Sequence, residues 1–202
     1  MRDLAAQLLV GGELYREVVL EHLVNARESV WIATANVKAM MIQKGGAFVP
    51  VAVVLADLAQ RGVALRLLHA EVPSRPFREA FDAQARLVNG GLALRICPRV
   101  HFKAVLVDGA WLYLGSANLT GAGLGAKGEH RRNFEVGFAT EDFDTIDRVT
   151  ALFEAVWQGD ECRACKLRAV CPDPIGPGPA RRARKAKRGD GVELGRARRL
   201  RR

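Results

Sequence analysis

Segments with the composition of β-strands alternate with segments of helical periodicity through most of this chain. Strand-like runs cover 29–35, 63–69, 92–96, 101–107, 111–114 and 133–139. Apolar residues at helical spacing are found over 14–26, 49–60, 74–88 and 142–157. Such alternation is typical of a layered domain in which helices cover a sheet. The sequence therefore predicts an α/β fold, with a mixed β-sheet flanked by helices on both faces.

Polar side chains recur at a spacing of two residues in the segments on either side of one predicted turn. Asp108-Gly109 separates two apolar runs, and this pair is a preferred hairpin turn. Successive side chains of a strand point to opposite faces, so residues two apart share a face. His101 and Lys103 have that spacing in the first arm. Both side chains are therefore predicted to project from one face of the strand.

These residue types are the ones that phosphodiester hydrolysis requires. A neutral imidazole can attack phosphorus, and a nearby ammonium can hold the phosphoryl oxygens. Ser116 and Asn118 repeat the two-residue spacing after the second arm and can add hydrogen-bond donors. Glu135 lies in another predicted strand and can orient a histidine, as the third member of a catalytic triad does.

A longer pattern contains these residues. It begins with His101 and Lys103, continues with Asp108 after four residues, and ends with Gly115-Ser116-x-Asn118 after six more. This pattern resembles the signature of the phospholipase D superfamily, in particular its small dimeric bacterial nuclease-type members with a single motif. Asn133-Phe134-Glu135 matches the position where that family keeps a supporting glutamate. The resemblance covers residues 12–157.

The resemblance implies roles for the residues of the pattern. His101 would be the nucleophile and would become a phosphohistidine. Lys103 and Asn118 would bind the phosphate oxygens, with Asn133 as a further substrate-binding residue. Hydrolysis in this family needs no catalytic metal.

The remaining residues of the pattern have supporting roles. Ser116 and Glu135 would hold or polarise the histidine. Asp108 matches the motif, but its implied role is mainly structural, which agrees with its place in the hairpin turn.

The mechanism also needs a second histidine, which protonates the leaving oxygen. The chain has three others, His22, His69 and His130, and none of them repeats the motif. Single-motif members of the family form homodimers with the active site on the two-fold axis, where two copies of the nucleophile meet. We therefore expect a homodimer in which one His101 attacks and its symmetry mate acts as general acid.

Four cysteines form a second feature. Cys162, Cys165 and Cys171 lie close together along the chain, and Cys97 is remote. In a reducing compartment such a set indicates metal binding or reactive thiols rather than disulfides. Four thiolates suit a structural zinc ion or a 4Fe–4S cluster, and the spacing resembles the iron–sulfur staple of certain DNA-processing nucleases. We expect a structural metal that braces this segment against the strand end before His101, with a metal-free site as the alternative.

The net charge of +9 is confined to the end of the chain. Between Arg181 and Arg202 there are eleven Lys or Arg and two acids, whereas residues 1–180 sum to zero. Clustered basic residues bind polyanions by releasing counterions. Nucleic acid is the expected partner of the tail, and an anionic membrane surface is an alternative. No amphipathic membrane-binding helix with a large apolar face is evident, which disfavours lipid.

These features predict a phosphodiesterase, and a nuclease in particular. A phospholipase D-type hydrolase or transferase acting on phospholipid is one alternative, because the motif does not distinguish the substrates. A non-catalytic nucleic-acid-binding module is a second. The intact set of His101, Lys103, Asn118 and Glu135 argues against that second alternative.

The pattern divides the chain into three parts. Residues 1–158 form the predicted phospholipase D-like catalytic domain, 159–176 the cysteine-bearing metal-binding appendix, and 177–202 a basic tail predicted to lack fixed structure. No run of about 18 apolar residues indicates a membrane span, and the start of the chain does not resemble a secretory signal. We therefore expect a cytoplasmic protein.

Overall fold

A central β-sheet carries most of the strands. A computed structural model of the chain describes residues 3–177. Within these residues the strands are β1 (Gln7–Val10), β2 (Ser29–Thr34), β3 (Met41–Lys44), β4 (Ala47–Pro50), β5 (Ala64–His69), β6 (Ala93–Ile96), β7 (Lys103–Val107), β8 (Trp111–Gly115) and β9 (Val136–Thr140). Seven of them form one sheet in the order β1-β9-β8-β7-β2-β5-β6, and β3 and β4 form a separate hairpin.

The helices lie between these strands. They are a π-helix at Tyr15–Leu23, α1 (Val51–Gln60), α2 (Arg75–Asp82) and α3 (Phe143–Gln158), with short helical turns at Leu87–Gly91, Glu129–Arg131 and Arg168–Val170. The carboxylate of Asp142 caps α3 by accepting the N–H of Thr145 (2.9 Å). α2 ends well before the end of the predicted 74–88 helix, and the hydroxyl of Ser74 makes no capping hydrogen bond.

The sheet is mixed, and β2 is the strand at which its direction changes. β2 pairs in parallel with β5 and antiparallel with β7. All five residues of β7 are buried, as expected for a strand that has packed layers on both faces.

Two hydrophobic cores cover the opposite faces of this sheet. Val30 and Ile32 of β2 pack in the larger core with the Tyr15–Leu23 helix and α1. Ala33 packs in the smaller core with Phe153 of α3. Because adjacent strand residues point to opposite faces, the two cores lie on either side of the sheet. The predicted mixed sheet with helices on both faces is confirmed.

Three short strands were not predicted. β1 is an edge strand that pairs antiparallel with β9. β3 and β4 flank Gly45 and Gly46, which both have positive φ and form the tip of a hairpin. Each of these strands has four residues, which is too short for a clear period-two pattern.

Two predicted strand boundaries are wrong at functionally important positions. β7 begins at Lys103, so His101 precedes the strand. β9 begins at Val136, so Asn133 and Glu135 also precede their strand. These side chains therefore lie just before the starts of their strands. The backbone there is free of the alternating strand geometry, so the side chains of different strands can point toward one site.

The cysteine-bearing appendix folds back against the end of β6. The carboxylate of Asp173 accepts the N–H of Ile96 (3.4 Å). The guanidinium of Arg99 lies 3.7 Å from the carboxylate of Glu161. Polar contacts thus place this segment near the strand end before His101, whereas its attachment through a metal stays a prediction.

Two further expectations concern the tail and the membrane. Residues 178–202, nearly all of the predicted basic tail, lie outside the described residues, so their lack of structure stays a prediction. None of the helices in residues 3–177 has the length and apolar character needed to span a bilayer.

Candidate active site

His101 and Lys103 lie side by side at the start of β7. His101 is exposed, whereas Lys103 is only 8% exposed. The Lys103 ammonium donates to the carbonyl oxygen of His101 (2.6 Å) and lies 3.4 Å from Nδ1 of the His101 ring. Because His101 precedes the strand, this contact and not strand alternation brings the two side chains together. Both can contact one phosphoryl group from this arrangement.

Among the described residues, no carboxylate forms an ion pair with Lys103. In the described part of the chain the ion pairs join other residues. Burying a charged group is costly unless an opposite charge accompanies it. A bound anion would supply that charge, so the ammonium is suited to hold a phosphate.

The end of β2 orients Asn118. The backbone N–H groups of Ala35 and Asn36 donate to Asn118 Oδ1 (3.1 and 3.2 Å), and the hydroxyl of Thr34 lies 3.1 Å from the same atom. A backbone N–H can only donate, so the accepting atom is the amide oxygen and the Nδ2 group is left as a donor. Sequence reasoning missed these β2 residues because no local pattern encodes so long-range a contact.

Ser116, Asn133 and Glu135 form a hydrogen-bonded group. The Ser116 hydroxyl donates to Glu135 Oε2 and accepts the N–H of Val136 (3.1 Å). Asn133 Nδ2 donates to Glu135 Oε1 (3.0 Å). Within residues 3–177 no hydrogen bond joins this group to His101, so the role of Ser116 and Glu135 in holding the histidine stays a prediction.

The segment that carries Ser116 and Asn118 lies over the buried ring of Tyr113. Burial raises the pKa of the Tyr113 hydroxyl to about 12, and this neutral hydroxyl accepts the N–H of Ala117 (3.3 Å). A Cβ at Gly137 would lie 2.5 Å from the Tyr113 ring and 2.9 Å from the carbonyl oxygen of Leu114. Because glycine lacks a Cβ, β9 can pass close to the Tyr113 ring, which belongs to β8.

Asp108 holds the hairpin turn against the start of β2. Asp108 and Gly109 have φ of 54° and 63°, as a type I′ turn requires. The Asp108 carboxylate accepts the N–H groups of Arg27 (3.0 Å), Glu28 (2.8 Å) and Ser29 (2.9 Å). Burial acts to raise the pKa of Asp108, but these three hydrogen bonds outweigh it and lower the pKa. This geometry supports the structural role expected for Asp108.

The other three histidines have different surroundings. His22 stacks on Trp111 with ring centroids 3.9 Å apart. His69 is 1% exposed, and burial lowers the pKa of its ring. His130 is exposed in the turn Glu129–Arg131. No hydrogen bond or ring contact joins any of them to His101 among the described residues.

The cysteines gather where the appendix meets the chain after β6. Cys97, Cys162 and Cys165 line one cavity of about 450 Å³. Burial raises the pKa of the Cys97 thiol, and the neighbouring Cys171 and Cys162 add to this effect. Within residues 3–177, however, no three His, Cys, Asp or Glu side chains are arranged to hold a metal ion. This arrangement therefore does not support the predicted metal.

Solved structures share this fold at low sequence identity. Nuc from Salmonella typhimurium, described as a phospholipase D family member, has a TM-score of 0.54 and 20% identity over 76% of this chain and 95% of Nuc. TrmBL2, described as an archaeal chromatin protein with a novel mode of DNA binding, has a TM-score of 0.52 and 16% identity over 75% of this chain and 51% of TrmBL2. A comparison with curated proteins finds no match to the sequence.

A family model identifies the larger part of the chain. Residues 19–157 match the model described as "Cardiolipin synthase, PLD-like domain". The matched span is more than half of the chain and contains His101, Lys103, Asn118 and Glu135. The resemblance found in the sequence is thus confirmed, and the chain belongs to the phospholipase D-like family.

Proposed function

We propose that this protein is a nuclease, which hydrolyses nucleic-acid phosphodiester bonds through a phosphohistidine intermediate. The observation that carries the proposal is the 3.4 Å approach of the buried Lys103 ammonium to the exposed His101 ring. The imidazole attacks phosphorus while the ammonium and the Asn118 amide bind the phosphoryl oxygens. These groups stabilise the developing charge, so the steps use no catalytic metal.

The reaction has two steps. In the first, a bond forms between an imidazole nitrogen and phosphorus, the bond from phosphorus to the leaving oxygen breaks, and that oxygen takes a proton from a general acid. In the second, water gives a proton to the same group and attacks phosphorus, and the nitrogen–phosphorus bond breaks. His101 is bonded to phosphorus when the proton is delivered, so a second histidine is needed.

A second copy of the chain is the proposed source of that histidine. An exposed apolar surface, the β1–β9 patch, lies next to Glu135 and consists of Leu8, Val10, Phe134 and Val136. Val10 and Val136 are partners in the β1–β9 register. A two-fold dimer through this patch would bury apolar area and place the active-site edges of two chains side by side.

Several observations favour nucleic acid over phospholipid as substrate. The fold is shared with TrmBL2, which is described as a chromatin protein that binds DNA. The basic tail is suited to bind a polyanion. A phospholipase or transferase acting at an anionic membrane surface, and a binding module without catalysis, are the outcomes that the assays must separate.

The first experiment is hydrolysis of bis-p-nitrophenyl phosphate in the presence of EDTA. Turnover under these conditions supports a metal-independent phosphodiesterase, and its absence would leave a binding module. Parallel assays on single-stranded DNA, duplex DNA, RNA and phosphatidylcholine then identify the substrate. Cleavage of phosphatidylcholine alone would replace the nuclease proposal with a phospholipase.

His101→Ala should lower this hydrolysis by about 10³-fold or more, because the nucleophile is lost. His130→Ala is the matched control, since His130 is also exposed, and it should retain activity. Binding of a polyanion through the tail should persist in both variants. A fully active His101→Ala protein contradicts the mechanism, and an inactive His130→Ala protein would assign the general acid to the same chain.

The gathered cysteines support a separate structural proposal, a 4Fe–4S cluster or a zinc ion held by Cys97, Cys162, Cys165 and Cys171. A set of four thiols fits either group, although the side chains would have to turn toward a common centre. Metal analysis and visible absorbance of protein purified without oxygen test this. Brown protein that loses its colour in Cys171→Ser identifies the cluster, colourless zinc-bearing protein identifies zinc, and metal-free protein refutes the proposal.

A further inference from the structure

The loop between Asn118 and Asn133 carries positive charge to the edge of the site. Both flanking residues belong to the site described above. Lys127 and Arg131 are exposed on this loop. Lys38 is also exposed and lies beside it, because its N–H donates to the carbonyl oxygen of the first loop residue (3.0 Å). Lys38, Lys127 and Arg131 are called the basic rim below.

The loop has a defined conformation. The Lys127 N–H donates to the carbonyl oxygen of Gly121 (3.0 Å), and the N–H of Gly123 donates to the hydroxyl of Thr120 (2.8 Å). Leu124 is 1% exposed and anchors the loop in the larger core. The cations of the rim are thus attached to a preorganised backbone, which reduces the entropy lost when a ligand binds.

The side chains of the basic rim take part in no ion pair with a carboxylate of residues 3–177. Residues 1–180 carry equal numbers of basic and acidic residues. Residues 119–132 contain three basic residues and one acidic residue, Glu129, so the loop keeps a local excess of positive charge.

We infer that the basic rim binds the phosphates that flank the scissile phosphate of a nucleic-acid strand. This inference depends on the proposed phosphodiesterase function. Lys103 and Asn118 are assigned to the scissile phosphate. The three cations of the basic rim are therefore available to bind other anionic groups. A nucleic-acid strand supplies them in a continuous line, whereas a phospholipid substrate brings one phosphodiester into the site.

The test compares a polymeric substrate with a substrate that has a single phosphate, using the full chain. One variant combines Lys38→Ala, Lys127→Ala and Arg131→Ala. Its control also removes three exposed cations, from α2 and the appendix, and combines Arg78→Ala, Arg163→Ala and Lys166→Ala. The measured quantity is kcat/KM for a single-stranded oligonucleotide divided by kcat/KM for bis-p-nitrophenyl phosphate, so a general loss of activity cancels.

The rim variant should lower this ratio by about 10- to 100-fold at low salt. The slope of log kcat/KM for the oligonucleotide against log salt should decrease by about 2, since each phosphate contact on a single strand contributes about 0.7. The control variant should leave both quantities unchanged. The basic tail is present in all proteins and cannot cause the difference.

Each contrary outcome has a separate meaning. An unchanged ratio in the rim variant, with wild-type protein active on both substrates, overturns the inference and leaves the proposed function standing. Wild-type protein that does not hydrolyse bis-p-nitrophenyl phosphate overturns the proposed function itself. Loss of binding to phosphatidylglycerol vesicles with an unchanged ratio assigns the rim to a lipid surface and also overturns the inference.

Discussion

Lys103 holds a positive charge at the site before any substrate is present. Among the described residues it is the one lysine or arginine that is buried. The carbonyl oxygen of His101 accepts a hydrogen bond from the ammonium, but a carbonyl does not neutralise a charge. A phosphoryl oxygen does, and its charge grows in the transition state. Lys103 is therefore expected to stabilise the transition state more strongly than it stabilises the bound substrate.

Asn118→Asp should separate the two functions of the Asn118 side chain. The carboxylate keeps an oxygen for the N–H groups of Ala35 and Asn36, so the thermal midpoint should change by only a few degrees. The lost Nδ2 donor is replaced by a negative oxygen that repels phosphate, so hydrolysis of bis-p-nitrophenyl phosphate should fall by about 100-fold or more. Calorimetry and steady-state kinetics measure the two effects.

Asn118→Ala is the companion variant and should lose both stability and activity, because it also removes the acceptor at the end of β2. If Asn118→Asp retains wild-type kinetics, the amide does not bind phosphate.

At the scale of elements, the site forms where strand ends meet. Lys103 is the first residue of β7 and pairs with Gly115, the last residue of β8. Glu135 directly precedes β9, and Asn118 is bound to the end of β2. At the other end of β7, Asp108 ties the hairpin to the start of β2. The position of β7 therefore depends on contacts at both of its ends.

Asp108→Asn should destabilise the fold by about 1–2 kcal/mol at neutral pH, because a charged acceptor of three backbone N–H groups is lost. Asparagine tolerates the positive φ at this position, so the turn itself should persist. Urea unfolding measures the free energy. The rate of bis-p-nitrophenyl phosphate hydrolysis per folded molecule tests whether the role is structural, because a catalytic Asp108 would lower that rate as well.

The same variant has an expected pH dependence. The pKa of Asp108 is lower in the folded protein than in the unfolded chain, so its stabilising contribution is complete above about pH 4 and is lost as the pH falls through the lowered pKa. The difference in unfolding free energy between wild type and Asp108→Asn should therefore shrink as the solution is acidified. A difference that stays constant down to pH 3 would show that the charge is not responsible.

At the scale of the whole molecule, the site is expected to be completed by a second chain. The body of the protein carries no net charge over residues 1–180, so the bodies of two copies add no net repulsion to that between the basic tails. Phe134 is fully exposed between two site residues. An aromatic ring so placed is a suitable anchor for an interface.

Phe134→Asp should convert a dimer into a monomer and abolish hydrolysis together, because the substitution places a charge in the β1–β9 patch. Phe143→Asp is the matched control, since Phe143 is also highly exposed but lies at the start of α3, and it should remain dimeric and active. Sedimentation at micromolar concentration and kinetic assays measure both properties. A wild-type protein that is monomeric and active contradicts the shared site.

Local features of the sequence determined the fold class and the centre of the site. The alternation of strand and helix periods follows from the need to bury one face of each element, and it predicted the mixed sheet. His101, Lys103 and Asn118 were predicted from a short motif and its resemblance to the phospholipase D superfamily, and the turn at Asp108 was predicted from its Asp-Gly pair.

Tertiary structure alone decided how these parts meet. Asn118 is held by residues more than 80 positions away along the chain, and Ser116 bonds Glu135 across two strands. The edge strand β1 is formed by pairing with β9, near the other end of the domain. Contacts of this kind depend on which segments the sheet brings together, and that information is absent from the periodicity of any single segment.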